Sequence, residues 1–158
     1  MHKWMFATLL FAAALLPATA SAAGTVYVIR HLEKDIGDDP SLTSQGAARA
    51  DQLAELLAGA NIRGIFATPT KRAKETAQPL ATRLGLAVSE YNPREVDALA
   101  AAVAAAHGPV LIVGHSNTVA ALVARFGGEK PAELTEQDFG TLFVVHPGTA
   151  QVNRIQLN

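Results

Sequence analysis

The sequence contains no cysteine, and this absence removes several kinds of chemistry at once. Without a thiol the protein cannot form a disulfide, attack a substrate through sulfur or hold zinc through cysteine ligands. The fold must therefore rest on its hydrophobic core, which is compatible with an oxidising compartment. A length of 158 residues, 49% of them apolar, is enough for one such core and too short for two domains.

The sequence also lacks a basic run and a long hydrophobic run. Thirteen lysines and arginines stand against 14 acidic residues with no basic stripe, so we expect no nucleic-acid partner. The longest apolar segment, Trp4 to Leu16, is shorter than the roughly 20 residues that span a bilayer, and Pro17 interrupts it. We therefore expect no stable membrane insertion of the mature protein.

The beginning of the chain has the pattern of a signal peptide. A weakly basic start with Lys3 is followed by the apolar segment and by Ala20-Ser21-Ala22, an A-x-A cleavage site. We predict cleavage directly after this site or one residue later, which makes residues 1–22 a signal peptide and residues 23–158 a single domain. Removal of Lys3 changes the formal charge from −1 to −2. The protein is expected to be exported, and to be periplasmic or secreted.

The first segment of the mature chain predicts a buried strand that ends in two polar side chains. Val26 to Ile29 is short, apolar and rich in β-branched residues, and Arg30 and His31 follow it directly. Ligands bind at this edge of open parallel sheets. Arginine can hold two phosphate oxygens, and a neutral histidine can attack phosphorus. The alternative is that Arg30 and His31 simply end the strand.

Helices and strands alternate along the rest of the chain, which predicts a parallel sheet. A helix is expected to begin after Thr43, its N-cap, and to stop at Gly59. Later helices are predicted at 71–84, 94–106 and 119–126, later strands at 65–67, 86–89 and 109–113, and a C-terminal hairpin at the sheet edge from 141–145 and 151–157.

Two further residues are predicted at the same edge of the sheet as His31. His115 follows the buried strand at 109–113, and Arg72 lies in the first turn of a helix, where an anion is already favoured. A phosphate monoester carries a charge of roughly −1.5 to −2, which Arg30, Arg72 and His115 could neutralise while His31 attacks. Such a site would need no metal or cofactor. The alternative for Arg72 is a solvated surface arginine.

Other polar residues have simpler interpretations. His107 is expected at a helix end and His146 in a turn. Gly114-His115-Ser116 loosely resembles the nucleophile elbow of serine hydrolases, but Thr118 stands where that motif needs glycine.

Four motifs, in this order and spacing, resemble the histidine phosphatase superfamily, also called phosphoglycerate-mutase-like. They are Arg30-His31, Leu42-Thr43-x-x-Gly46, Thr68-Pro69-x-x-Arg72-Ala73-x-x-Thr76-Ala77 and Val113-Gly114-His115-Ser116. The resemblance implies a three-layer α/β/α sandwich with a mostly parallel central sheet. It also implies that His31 becomes phosphorylated during turnover, and that Arg30, Arg72 and His115 hold the phosphoryl group.

The chain departs from the family's familiar members in two places. Leu32 stands where they have glycine, and the resulting Arg-His-x-Glu-Lys pattern is similar to small members rather than to phosphoglycerate mutase. Members that cleave alkyl phosphates usually offer a carboxylic acid after the third strand, and Glu90 is the best-placed candidate, with Glu95 and Asp97 behind it. Acidic residues at a helix start are favoured by the helix dipole in any case.

These departures leave the substrate and the activity open. The expected substrate is a small phosphorylated compound, namely a sugar phosphate, an envelope phosphate or phosphohistidine. Without a proton donor, leaving groups that need little protonation would be preferred. A non-catalytic module of the same fold that binds phosphate or a phosphosugar is the alternative function.

Overall fold

The computed structural model describes residues 24–158, and the predicted signal peptide lies outside this range. Within it the chain forms six strands and four helices. Their bounds are β1 Val26–Arg30, α1 Ser44–Leu57, β2 Gly64–Ala67, α2 Lys71–Leu84, β3 Val88–Glu90, α3 Val96–Ala105, β4 Val110–Gly114, α4 Ser116–Arg125, β5 Thr141–Val145 and β6 Val152–Gln156. No helix in residues 24–158 combines the length and apolar character that crossing a bilayer requires.

The strands of the described chain form one mixed sheet in the order β3-β2-β4-β1-β5-β6. The four strands β1 to β4 pair in parallel, and β5 and β6 are antiparallel additions beside β1. Arg30 is level with Gly114 where β1 and β4 end. The predicted parallel sheet and C-terminal hairpin are therefore confirmed, and the strands before α1, α2 and α4 all end at one edge.

Helices cover both faces of this sheet. Leu53 of α1 and Leu80 of α2 pack with Ile29 in one core cluster, whereas Leu99 of α3 and Val119 of α4 pack with strand residues of the opposite face. Successive side chains of a strand point to opposite faces, so each buried strand contributes to both clusters. The result is the predicted three-layer α/β/α arrangement.

Local sequence signals set several element ends. Thr43 caps α1, because its Oγ1 accepts a hydrogen bond from the backbone N–H of Gly46 at 3.1 Å. Helix α2 has the predicted bounds and ends at Gly85, whose φ of 66° is easily adopted by glycine.

Helix α4 starts at Ser116, three residues earlier than predicted. The Thr118 hydroxyl accepts a hydrogen bond from the backbone N–H of His115 at 2.9 Å, which adds a turn that apolar periodicity does not reveal. His115 therefore lies directly at the helix start. Strand β3 is also displaced from the predicted 86–89 to Val88–Glu90, and α3 is shorter at both ends than predicted.

The two leucines of α1 allow a matched test of the core. Leu53 is fully buried, whereas Leu56 is 44% exposed. We expect Leu53→Ala to lower the free energy of unfolding by about 2–5 kcal/mol through lost burial and cavity formation, and Leu56→Ala to lower it by less than about 1 kcal/mol. Urea denaturation followed by circular dichroism measures both. Equal losses would contradict this packing of α1.

Candidate active site

A pocket of about 420 Å³ lies where β1, β2 and β4 end. Its lining consists of Arg30, His31, Lys34, Arg72, His115, Ser116, Asn117 and Glu136. The structure therefore brings together the four residues predicted from strand ends and from the first turn of α2. A larger cleft beside β6 contains no histidine in its lining, so size alone does not identify the site.

His31 lies at the bottom of the pocket and is only 3% exposed. Its Nδ1 is 2.9 Å from the carbonyl oxygen of Leu32. A carbonyl can only accept a hydrogen bond, so in the neutral ring Nδ1 carries the proton and Nε2 keeps a free lone pair. The His31 and His115 rings are neighbours, with centroids 5.3 Å apart.

Burial keeps the His31 ring neutral. Desolvation is the main reason why the pKa of His31 falls from 6.5 to about 4, and the positive charges of Arg30 and Arg72 and the His115 ring lower it further. The hydrogen bond to Leu32 opposes this shift. The pKa of His115 is lowered as well, first by burial and then by the two arginines. Near neutral pH both imidazoles are therefore uncharged, and His31 is available as a nucleophile.

His115 is held from two sides. Its backbone N–H is bound by Thr118 at the start of α4, and its Nε2 is 2.8 Å from Oγ1 of Thr68, a buried residue that follows β2. The ends of β2 and β4 thereby fix the orientation of this ring.

Leu32 does not line the pocket. Its side chain is fully buried and belongs to the core cluster formed with α1 and α2. Its backbone N–H donates to Oγ1 of Thr76 in α2 at 3.0 Å, and the Thr76 hydroxyl donates to the carbonyl oxygen of Arg72 at 2.8 Å. Leu32, where the resemblance leads to an expectation of glycine, therefore adds core packing below His31 and takes no space from a ligand.

Arg30 is 2% exposed, and most of its hydrogen bonds go to the loop between α4 and β5, residues 126–140. Its Nη1 donates to the carbonyl oxygens of Thr135 at 2.7 Å and Asp138 at 3.1 Å, and its Nη2 donates to Oε2 of Glu136 at 3.0 Å. The Phe139 ring lies 4.1 Å from the centre of the guanidinium group. Arg30 therefore holds this loop, a role that the sequence does not predict.

Arg72 is not a solvated surface residue. Its side chain is 17% exposed, and its Nη1 is 3.5 Å from Oδ1 of Asp39 in the loop after β1. The Nε atoms of both Arg72 and Arg30 are buried and have no hydrogen-bond partner in the described chain. Buried N–H donors are normally paired. The Nε of Arg49, outside the pocket, also has no partner within residues 24–158, so what distinguishes Arg30 and Arg72 is that both line the pocket, where two guanidinium groups fit an anionic ligand.

Glu136 is a pocket residue that sequence reasoning missed. Its Oε1 accepts a hydrogen bond from the Ser116 hydroxyl at 2.7 Å, and its Oε2 accepts from Arg30. The Ser116 bond and the charge of Arg30 lower the pKa of Glu136, so the group is a carboxylate near neutral pH. The sequence does not reveal that β5 pairs with β1. This pairing places the end of the 126–140 loop, and with it Glu136, near Arg30.

Glu90, the predicted proton donor, does not line this pocket. Strand β3 is three positions from β1 in the sheet, about 14 Å at the usual strand spacing, and the Glu90 carboxylate pairs with Lys74 at 2.9 Å. Glu95 accepts a hydrogen bond from Asn92, and Asp97 pairs with Arg125, also outside the pocket. Among residues 24–158, no three histidine or acidic side chains are grouped as metal ligands.

Comparison with known proteins connects this geometry to a family. A family model described as the histidine phosphatase superfamily (branch 1) matches residues 26–94, which include Arg30, His31 and Arg72. The uncharacterized protein Rv0525 of Mycobacterium tuberculosis is 47% identical over 76 residues. That match covers 43% of this chain and 37% of the relative, so the chain corresponds to little more than a third of that protein's length.

Solved structures share the fold over most of the chain. The protein histidine phosphatase SixA complexed with tungstate has a TM-score of 0.64 at 21% identity, covering 84% of this chain and 96% of SixA. The alpha-ribazole phosphatase from Shigella flexneri has a TM-score of 0.64 at 17% identity, with coverages of 85% and 96%. A mycobacterial glucosyl-3-phosphoglycerate phosphatase, Rv2419c, has a TM-score of 0.59 at 19% identity, with coverages of 85% and 95%. The family model thus matches the first part of the domain, and the solved structures share the fold of the whole domain, so the chain is similar in both respects to the histidine phosphatase superfamily.

Proposed function

We propose that the chain is an exported, metal-independent phosphatase that hydrolyses a phosphomonoester or a phosphoramidate through a phosphohistidine intermediate on His31. One observation carries the proposal. The Leu32 carbonyl fixes the Nδ1 proton of a buried, neutral His31, which leaves Nε2 free in a pocket that also contains two arginines with unpaired Nε–H groups. A free imidazole nitrogen beside unpaired cationic donors is the arrangement that phosphoryl transfer to histidine requires.

The reaction has two displacements. In the first, the lone pair of His31 Nε2 forms a bond to phosphorus while the bond from phosphorus to the leaving atom breaks and its electron pair leaves with that atom. The phosphorylated ring gains positive charge, which the hydrogen bond from Nδ1 to Leu32 stabilises. In the second, a water oxygen attacks phosphorus, the N–P bond breaks, and its electron pair restores neutral His31. The proton lost by water leaves with phosphate or solvent.

The charges of the pocket suit a dianionic phosphoryl group. Arg30, Lys34 and Arg72 contribute three positive charges, Glu136 contributes one negative charge, and both histidines are neutral. The remaining charge of +2 balances a phosphate monoester, which carries roughly −1.5 to −2 near neutral pH. Most catalysis of phosphoryl transfer consists of such neutralisation and of positioning.

The leaving group is proposed to need little protonation. Glu90 lies outside the pocket, and Glu136 is held as a carboxylate, so no carboxylic acid of the described pocket is protonated near neutral pH. The fold relatives support a small phosphorylated substrate, since they are described as phosphatases for protein histidine, alpha-ribazole and glucosyl-3-phosphoglycerate. Sugar phosphates, envelope phosphates and phosphohistidine remain the proposed substrate classes.

Kinetics of variants test the catalytic roles. With EDTA present, the wild type is expected to release phosphate from p-nitrophenyl phosphate, sugar phosphates or a phosphohistidine peptide, and His31→Ala is expected to release none. Arg72→Ala and His115→Ala should lower kcat by at least about a hundredfold, because each removes a preorganised donor to the transition state. The exposed His107, whose φ is 49°, supplies a control, His107→Asn, expected to retain full activity. Turnover by correctly folded His31→Ala would refute the proposed nucleophile.

Titration of the ring tests the nucleophile's environment. NMR of the ligand-free protein should show His31 gaining its proton with a midpoint near pH 4, since desolvation penalises the charged ring, compared with about 6.5 for an exposed histidine. The sign follows directly: the neutral, competent form persists as pH falls and is lost only near pH 4. Bound phosphate should raise the midpoint, because an anion stabilises imidazolium. A ligand-free midpoint at or above 6 would contradict the buried neutral site.

Export is tested on the full chain. Mass spectrometry of the protein recovered from a bacterial host should show a mature form that begins at Ala23 or Gly24, and this form should fractionate outside the cytoplasm. Replacing the small residues of the cleavage site in a double variant, Ala20→Arg with Ala22→Arg, should leave the precursor uncut. Recovery of the uncleaved wild-type chain from the cytoplasm would refute export.

A further inference from the structure

Glu136 places an exposed carboxylate at the mouth of the pocket whose bottom is proposed to hold the phosphoryl group. Its side chain is 77% exposed, whereas Arg30, with which it pairs at 3.0 Å, is 2% exposed. The Ser116 hydroxyl holds its second oxygen at 2.7 Å. This carboxylate compensates the buried charge of Arg30, and it also lowers the affinity of the site for any anion that approaches the mouth.

We propose that Glu136 forms a leaving-group subsite that selects phosphoryl compounds whose leaving group carries a positive charge, such as an ammonium group. This proposal rests on the proposed phosphatase function and names the substrate class of the same site. Glu136 then acts as a residue that determines specificity, separate from the groups that hold the phosphoryl oxygens.

The geometry of displacement places the leaving group near Glu136. The attacking and leaving atoms lie roughly in line through phosphorus, so the leaving group points away from the nucleophile. His31 is buried at the bottom of the pocket, so the proposed nucleophile meets the phosphoryl end there. The leaving group must therefore point toward the mouth, where Glu136 and Asn117 are the exposed lining residues.

The charge balance favours a cation at this position. The dianionic phosphoryl group uses the net charge of +2 of the lining, which leaves no surplus positive charge for a second anion. Acidic side chains on the adjoining loops reinforce this. Asp39 pairs with Arg72, and the carboxylate of Asp138, in the same loop as Glu136, accepts a hydrogen bond from the backbone N–H of Thr135. Lys34 is the cation that opposes them, and it is only partly exposed. An anionic leaving group would be repelled, and a cationic one would be attracted.

Three small esters of similar length test the proposal: O-phosphoethanolamine, n-propyl phosphate and phosphoglycolate, whose leaving groups are cationic, neutral and anionic. Alkyl leaving groups need a proton that no carboxylic acid of the pocket supplies, so slow turnover of all three esters is expected. Among them, the wild type should show its highest kcat/KM with O-phosphoethanolamine.

In Glu136→Gln the amide oxygen can accept from Arg30 and the amide N–H can donate to the Ser116 hydroxyl, while the charge is lost. This variant should lower the preference for O-phosphoethanolamine over n-propyl phosphate about threefold to tenfold. The same variant should also raise kcat/KM for phosphoglycolate. Added salt should reduce both effects, because it screens the charge of Glu136.

Glu133→Gln is the matched control. It removes the same charge from the same loop, but Glu133 pairs with Lys130 and does not line the pocket, so the preference should not change. If Glu136→Gln changes kcat/KM by the same factor for all three esters, the proposal is overturned. That result would show that the carboxylate only competes with phosphate for Arg30. A loss of kcat with the alkyl esters but not with p-nitrophenyl phosphate would overturn it in favour of a proton donor.

Binding separates this inference from the proposed function. In His31→Ala, which should not turn over, NMR titration of the same three esters gives their dissociation constants directly. The affinity should be highest for the ester with the cationic leaving group and lowest for the ester with the anionic one. These differences in affinity should become smaller when Glu136→Gln is added. If the wild type hydrolyses nothing, the proposed function fails while these constants still decide the subsite. If turnover depends on His31 but the dissociation constants do not depend on leaving-group charge, only the subsite is refuted.

Discussion

The burial of a guanidinium group at the end of the central strand is the constraint on which the site depends. A charge as deeply buried as Arg30 is costly unless hydrogen bonds and opposite charge compensate it. The chain supplies this compensation from the 126–140 loop, through the Thr135 and Asp138 carbonyls, the Glu136 carboxylate and the Phe139 ring. Folding this loop over the sheet edge satisfies Arg30 and completes the pocket wall.

The same burial leaves the site incompletely satisfied. The buried Nε–H groups of Arg30 and Arg72, two arginines of the pocket lining, have no partner within residues 24–158. Burial of His31 makes its protonation unfavourable and keeps the ring neutral. These features cost stability in the free protein, since unpaired buried donors are destabilising. In the proposed reaction, the phosphoryl group would bring negative charge to this incompletely satisfied part of the pocket.

The parts of this architecture that depend on local sequence could be predicted. The alternation of apolar strands and helices predicted the parallel sheet, whereas the three-layer arrangement was expected from the resemblance to a known family. Thr43 correctly predicted a helix start, and both bounds of α2 agree with its periodicity. His31, Arg72 and His115 share one edge because parallel strands joined by helices end on the same side. Strand order, however, depends on the packing of the whole domain. In the structure β3, which carries Glu90, is an edge strand, and β5 lies beside β1. Glu136 could not be found for this reason.

The Thr76 hydroxyl joins the backbone after His31 to the backbone of Arg72, in a part of the chain that is fully buried. The first strand and the second helix are therefore held in register at the point where each contributes a group to the pocket. The separation of the histidine and the arginine is set when the chain folds, and the conformational entropy of ordering them is lost at that stage. A ligand that meets this rigid pair does not have to order it again, so more of its contact energy remains as affinity or as stabilisation of the transition state.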